Sequence, residues 1–120
     1  MRRGILHVFI WLALGALPLA AAESLEQTID FLLHRINTAD ATFIRNGQEH
    51  TPAEAVAHVR AKYEHFKKEI NTPEDFIRLA ATKSLVSGQP YLVRTRDGKE
   101  IPLNGWLTNA LREHRRNEGT

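Results

Sequence analysis

Three groups of residues in this 120-residue chain have types and spacings that chemistry uses. Glu54, His58 and His65 lie in HTPAEAVAHVRAKYEHFKKEI, a stretch that reads as a helix. Glu54 and His58 are four apart and share a face, and His65 lies two turns beyond His58 on the same side. A carboxylate and two imidazoles are zinc ligand types. The metal, however, needs three or four ligands at bonds of roughly 2 Å, and seven residues of helix span about 10 Å. One ion therefore cannot bridge His58 and His65 directly, and a metal centre would need His50, His34 or a further carboxylate brought in by folding. The plainer reading makes Glu54, His58, Lys62, His65 and Glu69 a solvated polar flank beside an apolar stripe.

The second group is Thr82, Lys83, Ser84, Ser87, Gly88 and Gln89, a polar link between two apolar segments. A serine beside a lysine is a hydrolase combination, but adjacent helical positions point about 100° apart, which disfavours proton transfer between Lys83 and Ser84. What remains is a ligand or partner loop at Ser84, Ser87, Gly88 and Gln89, or a plain connection in which Gly88 takes a backbone angle that other residues avoid. The third group is cationic: Arg94, Arg96, Lys99, Arg112, Arg115 and Arg116, with Tyr91 and Trp106 nearby in sequence. Arginine and aromatic side chains carry energy at interfaces, although Tyr91 and Trp106 read first as core residues. Specific catalytic and metal motifs are absent: there is no cysteine, no H-E-x-x-H, no glycine-rich phosphate loop and no G-x-S-x-G. No cofactor is implied.

The elements that must position these groups can be read from local signals. Ser24 with Gln27 forms a capping box ahead of Leu25, Ile29, Leu32 and Ile36, which share one helical face. Asn46-Gly47 supplies the positive φ angles of a tight hairpin between two very short strands, Thr42 to Arg45 and Gln48 to His50. Thr51, Pro52 and Glu54 cap a second helix with Val56, Val59, Tyr63, Phe66 and Ile70 on its apolar stripe. That spacing also suits a coiled-coil seam, but two heptads are too few to sustain one. Thr72, Pro73, Glu74 and Asp75 start a third helix whose residues 76 to 81 cover most of its circumference with apolar side chains, which predicts a central position.

YLVRTRDGKEIPL predicts a second hairpin. With Gly98 as the bulge of a three-residue loop, Val93 pairs with Ile101, Tyr91 with Leu103, and Arg94 with Glu100. This gives an apolar ladder on one face and a charge pair on the other. Asn104 is expected to cap a last helix carrying Trp106, Leu107, Ala110 and Leu111, and the polar residues 115–120 are expected to fray. The fold class expected is α+β, with four helices and two short β-hairpins that join in one small antiparallel sheet packed against the helices.

The front of the chain carries its own message. Arg2 and Arg3 precede an apolar run from Ile5 to Leu17, followed by Pro18 and Ala20-Ala21-Ala22. This is the order of a cleavable secretory signal peptide, with the cut expected after Ala22. A retained anchor is the rival reading, but Pro18, the alanine run and the lack of a basic stop-transfer cluster stand against it. Without cysteine there is no thiol for lipid attachment. The expected organisation is a signal at 1–22, a single domain at 23–114 and a polar tail at 115–120. Once the signal is removed no membrane span is expected.

Export also changes the charge argument. Of 16 basic residues, Arg2 and Arg3 leave with the signal, so the mature chain carries 14 basic against 14 acidic groups. That balance gives no nucleic-acid address. A cysteine-free domain outside the cytoplasm must be held by packing, a partner or a metal.

FIRNGQEHTPAEAVAHVRAKY, TPEDFIRLAATKSLVSGQPYLVR and DGKEIPLNGWL together resemble the YfeK-like family of small exported bacterial proteins, a domain of unknown function, over roughly residues 41 to 115. Asn46, Gly47, Arg78, Ser87, Gly88, Tyr91, Asp97, Gly98 and Trp106 match its pattern. A cysteine frequent in the family near Ala80 and Ala81 is missing here, and any bridge or ligand it supplies is missing with it. The resemblance implies an envelope location and a shared fold, and it transfers no catalytic residue. Arg78 stands out on an otherwise apolar helix, either as a buried charge-assisted bond or as part of a binding site.

The function expected is a periplasmic, non-catalytic binding or accessory module for an envelope protein partner, monomeric or weakly dimeric. The alternatives are a small-molecule or metal-binding protein and, behind these, a hydrolase of an envelope polymer.

Overall fold

The computed structural model describes residues 22–119. Apart from Ala22, the signal-peptide reading of residues 1–22 lies outside them, as does Thr120. Helix α1 (Leu25–Asn37) leads into strands β1 (Ala41–Arg45) and β2 (Gln48–His50). Helix α2 (Pro52–Phe66) and a 3₁₀ turn (Lys67–Glu69) follow, then α3 (Pro73–Ala80), β3 (Leu92–Thr95), β4 (Glu100–Pro102) and α4 (Leu103–Glu118). The four strands form one antiparallel sheet in the order β2-β1-β3-β4. The arrangement is α+β, with the two hairpins joined through β1 and β3. Among the described residues, no helix is long and apolar enough to cross a membrane.

Local chemistry accounts for most element boundaries. Ser24 and Thr51 each complete a capping box, with Gln27 and Glu54 respectively. Thr72 accepts the Asp75 amide at 3.1 Å to open α3. Asn46 and Gly47 both take positive φ, 54° and 75°, which the tight β1–β2 turn requires. In the second hairpin Val93 pairs with Ile101 and Arg94 with Glu100, while the Leu103 amide donates to the Tyr91 carbonyl at 2.8 Å. The register expected from the Gly98 bulge is the one observed, with Gly98 at φ 89°.

The inner face of the sheet and the four helices close over the core. Phe76, Ile29, Leu32, Ile36, Leu107, Leu111, Val59 and Val93 are its largest fully buried side chains. Phe76 meets the Tyr63 ring edge-on at 5.7 Å. On the outer face Arg94 is gripped by Glu100 at 2.8 Å and Glu49 at 2.7 Å, so the predicted charge pair is a three-residue bridge across strands.

Three expectations are corrected. Asn104 does not cap α4: the helix starts two residues earlier than such a cap requires, at Leu103, Pro102 occupies the cap position without a side-chain bond, and the Leu103 amide donates to the Tyr91 carbonyl. Polarity after His114 does not end the helix, which runs to Glu118 with Arg115 bound to Glu74 at 3.1 Å. Helix α3 is less uniformly buried than its composition suggests. Phe76, Ile77 and Ala80 face inward while Arg78 and Glu74 face water.

Candidate functional site

Helix α2 buries Ala55, Val59, Lys62 and Tyr63, whereas Val56 and Phe66 are only partly covered. The buried stripe thus keeps Val59 and Tyr63 of the one expected and is turned away from Val56 and Phe66, toward Ala55 and Lys62, by less than one residue step. That rotation moves Lys62 from the supposed solvated flank to the interior, with 7% of its surface exposed. Its ammonium donates to the Lys83 carbonyl at 2.6 Å and to the Tyr91 hydroxyl at 3.2 Å, and lies 5.0 Å from the centre of the Tyr91 ring. Among the described residues no carboxylate pairs with it. A buried charge with no counter-ion lacks the compensation that burial normally demands.

Tyr91, 4% exposed, joins Lys62 to His58, whose Nε2 lies 2.9 Å from the phenol oxygen. The lysine ammonium can only donate, so the phenol accepts from Lys62; among the described residues its own hydrogen has His58 Nε2 as the acceptor in reach, and we assign the bond in that direction. The neutral imidazole then carries its hydrogen on Nδ1. His58 is held below its ordinary value of 6.5, first by burial and then by the positive fields of Arg45, Lys62 and His50. Lys62 is pushed down from 10.5 by burial and by Lys83. Burial pushes Tyr91 up from 10.0, against the opposing field of Arg45. Each shift disfavours the charged form of its group, as expected where desolvation exceeds compensation.

The sheet delivers the remaining members. Alternation along β1 puts Ala41, Phe43 and Arg45 on one face, so Arg45 extends the core row to its polar end. There a cleft of about 50 Å³ is lined by Phe43, Arg45, His50, Glu54, His58 and Tyr91, with Val59 and Leu103 among its apolar walls. Glu54 is committed to the Thr51 amide at 2.9 Å and to His50 at 3.6 Å.

The link from Thr82 to Gln89 lies over Lys62 as a small tied hairpin. Lys83 bridges Pro90, the Ser84 amide donates to the Gln89 carbonyl at 3.0 Å, and the Tyr91 amide to the Thr82 carbonyl at 3.0 Å. Ser84 is buried, and its hydroxyl accepts the amides of Val86 at 3.1 Å and Ser87 at 3.4 Å. The Ser87 hydroxyl donates to the Asn46 side chain in the β1–β2 turn and accepts the Gln89 amide at 3.1 Å. Gly88 turns the chain at φ 73°. At the tip of this fixed loop, Leu85 is 64% and Val86 92% exposed.

The residues singled out from sequence therefore separate. Ser84, Ser87, Gly88 and Gln89 shape the loop, and His58 belongs to the cluster beneath it. Glu54 lines the same cleft. His65 is exposed against the Phe66 ring, 4.7 Å between centres, and does not converge with Glu54 and His58. Among the described residues, a histidine and two carboxylates do come within 4.8 Å at Glu23, His114 and Glu118. His114, stacked on Phe31 at 3.9 Å, already bonds Glu23 at 2.8 Å and clasps α4 to the start of α1.

Arg78 is not a buried bond. It points to water and pairs with Asp75 at 3.0 Å on its own helix. It borders a groove of about 470 Å³ between α3 and α4 with Glu74, Arg112 and Arg115, and these cations already have partners in Asp75, Asn109 and Glu74. Arg94 lies in the outer-face bridge, and Arg96 meets Asp40 at 3.4 Å, both remote in role from the cleft.

Sequence reasoning overlooked Lys62, Arg45 and the function of Tyr91. Two signals were available: a basic residue three beyond Val59 on α2, and another two beyond Phe43 on β1, each at core spacing.

Known proteins agree with the fold's extent and add no activity. Over 52 residues the chain is 44% identical to the uncharacterized protein YfeK of Salmonella typhimurium strain LT2, and the match covers 43% of this chain and 43% of that protein. The matched stretch thus spans less than half of that relative. No solved structure matches. The model of the DUF5329 family of unknown function covers residues 23–115, nearly all of the structure just described, and the chain belongs to that family.

Proposed function

We propose that this protein is an exported, non-catalytic binding module of the bacterial envelope, and that it meets a protein partner through the tip of the Thr82–Gln89 loop. The carrying observation is the pairing of exposure with order. Leu85 and Val86 are the exposed large apolar residues of the described chain, and they sit on a loop tied by Ser84, Ser87 and Asn46. A loop held in one conformation before contact loses little entropy on binding, so even a small apolar tip can contribute affinity. Ser84, the one serine beside a lysine in the loop, uses its hydroxyl to hold that shape. Export rests on Arg2 and Arg3, the apolar run after them and the small residues before Glu23.

The test is a photo-reactive side chain placed at Val86 in intact cells, followed by recovery from the envelope fraction. Capture of one protein in near-equal amount, lost when Leu85→Asp is added, is the expected result. Capture that ignores Leu85→Asp, or recovery of uncrosslinked monomer across expression levels, contradicts the reading. A crosslinked pair of identical chains would replace the separate partner with self-association.

A further inference from the structure

We infer that the cleft at the end of β1 is a binding site for a carboxylate group, held by Arg45 and the Nδ1–H of His58. The argument begins with an imbalance of donors and acceptors. The Arg45 side chain has no hydrogen bond or ion pair among the described residues, and the His58 ring spends only Nε2, on Tyr91. Glu54 is the carboxylate lining the cleft, and the Thr51 amide and His50 both meet its Oε1, which leaves Oε2 facing water on a side chain that is 62% exposed. Donors and positive charge thus outnumber acceptors at the site, so its complement is an acceptor carrying negative charge.

Charge on every side points the same way. Around His58, Arg45 comes from β1, His50 from β2 and Lys62 from α2, while Lys83 joins from the overlying loop. Only Glu54 opposes them. Such fields keep His58 neutral while the cleft lacks an anion, and an anion placed there would favour the imidazolium. Lys62 does not touch the ligand in this scheme. It is a positioning residue that orients Tyr91, which fixes the His58 tautomer and leaves Nδ1–H as a donor.

Size selects among anions. A cleft of about 50 Å³ has room for roughly three to four water-sized atoms. That suits the three heavy atoms of a carboxylate with its stem running out along the apolar walls, and is tight for the five of a phosphate, whose atoms must all enter. The apolar walls from Phe43, Val59 and Leu103 suit a short hydrocarbon stem. The carboxylate can come from a free small acid or from the C-terminus of a peptide. The inference is independent of the partner reading, because its probes are small anions and its readout is an imidazole.

The experiment is an NMR titration of the His58 ring in the purified protein with propionate, N-acetyl-Ala-Ala and inorganic phosphate at constant ionic strength. Expected are saturable His58 shifts with a carboxylate probe and a higher midpoint for His58 protonation in its presence. Arg45→Gln should bind about tenfold more weakly, as expected for loss of a charge-assisted bond. Stronger binding of propionate identifies a small acid as the source, and stronger binding of the peptide identifies a chain end. Should Arg45→Gln fail to fold, Arg45→Lys keeps the charge, removes the fork and should still weaken binding. Non-saturating shifts with both carboxylates, tighter binding of phosphate than of either, or unchanged affinity in a folded Arg45 variant would overturn the inference. Lys62→Met adds a readout that separates positioning from mere structure: it should shift the His58 protonation midpoint while leaving the protein folded.

Discussion

Phe76 and Lys62 are both buried on helices, 0% and 7% exposed, yet their surroundings follow opposite rules. Phe76 is enclosed by apolar neighbours and an edge-on tyrosine ring, so packing, hydrophobic transfer and helix amphipathicity all favour its position. Lys62 is enclosed by a carbonyl, a phenol and other cations, and among the described residues its charge has no carboxylate partner. One region is consistent at every level of its structure. The other departs from the rules of burial, and such departures concentrate where function requires a group that stability alone would not select.

The sharpest break in this comparison is predicted at the core. Phe76→Ala should lower stability by about 3–5 kcal/mol, the range for a fully buried aromatic truncated to a methyl. Urea denaturation measures it, and a loss under about 1 kcal/mol would remove Phe76 from the centre of the fold.

A smaller effect separates the regions by pH. His58 is depressed below 6.5 in the folded protein, so between that value and its folded one the unfolded chain binds more protons. Its contribution is therefore intact above pH 6.5 and is lost as pH falls through the folded value. His58→Gln should flatten this slope on the acid side, as read from melts across mildly acidic pH, while losses from carboxylates at lower pH persist. A slope identical in both proteins would mean that the half-buried His58 is not held neutral beside Arg45, His50 and Lys62. Smaller still is Arg78→Ala, since an exposed ion pair within one helix contributes little. Its melt should overlay that of the parent, and a clear destabilisation would restore the buried-bond expectation.

What the sequence revealed, and what it did not, follows the range of the forces involved. Caps at Ser24, Thr51 and Thr72 and the turns at Asn46-Gly47 and Gly98 depend on a few neighbouring residues, so they were legible. The Val93–Ile101 register was legible because sliding it by one residue would mix the two faces. The face of α2 that is buried depends on where the 82–90 loop lands, a contact spanning 21 residues between Lys62 and Lys83. Two stripes that share Val59 and Tyr63 fit the α2 sequence, one continuing through Val56 and Phe66 and the other through Ala55 and Lys62, and only tertiary packing chooses between them. Asn104 failed as a cap for a related reason. Its rival was the Tyr91 carbonyl, set by the hairpin and invisible to a local rule. For the loop, the residue types were correctly singled out, while their work within it as turn and brace emerged only from the hydrogen bonds.

The most direct test of the central claim, that the Lys62 charge is kept for the site and not for the fold, is equilibrium urea unfolding of Lys62→Met at neutral pH. Methionine fills a similar volume without a charge to desolvate, and such exchanges at buried ionic sites are often neutral or stabilising by about 1–4 kcal/mol. The account predicts stability equal to or above the parent. A loss of about 3 kcal/mol or more, as seen when a needed buried charge partner is removed, would contradict it and make Lys62 a structural element.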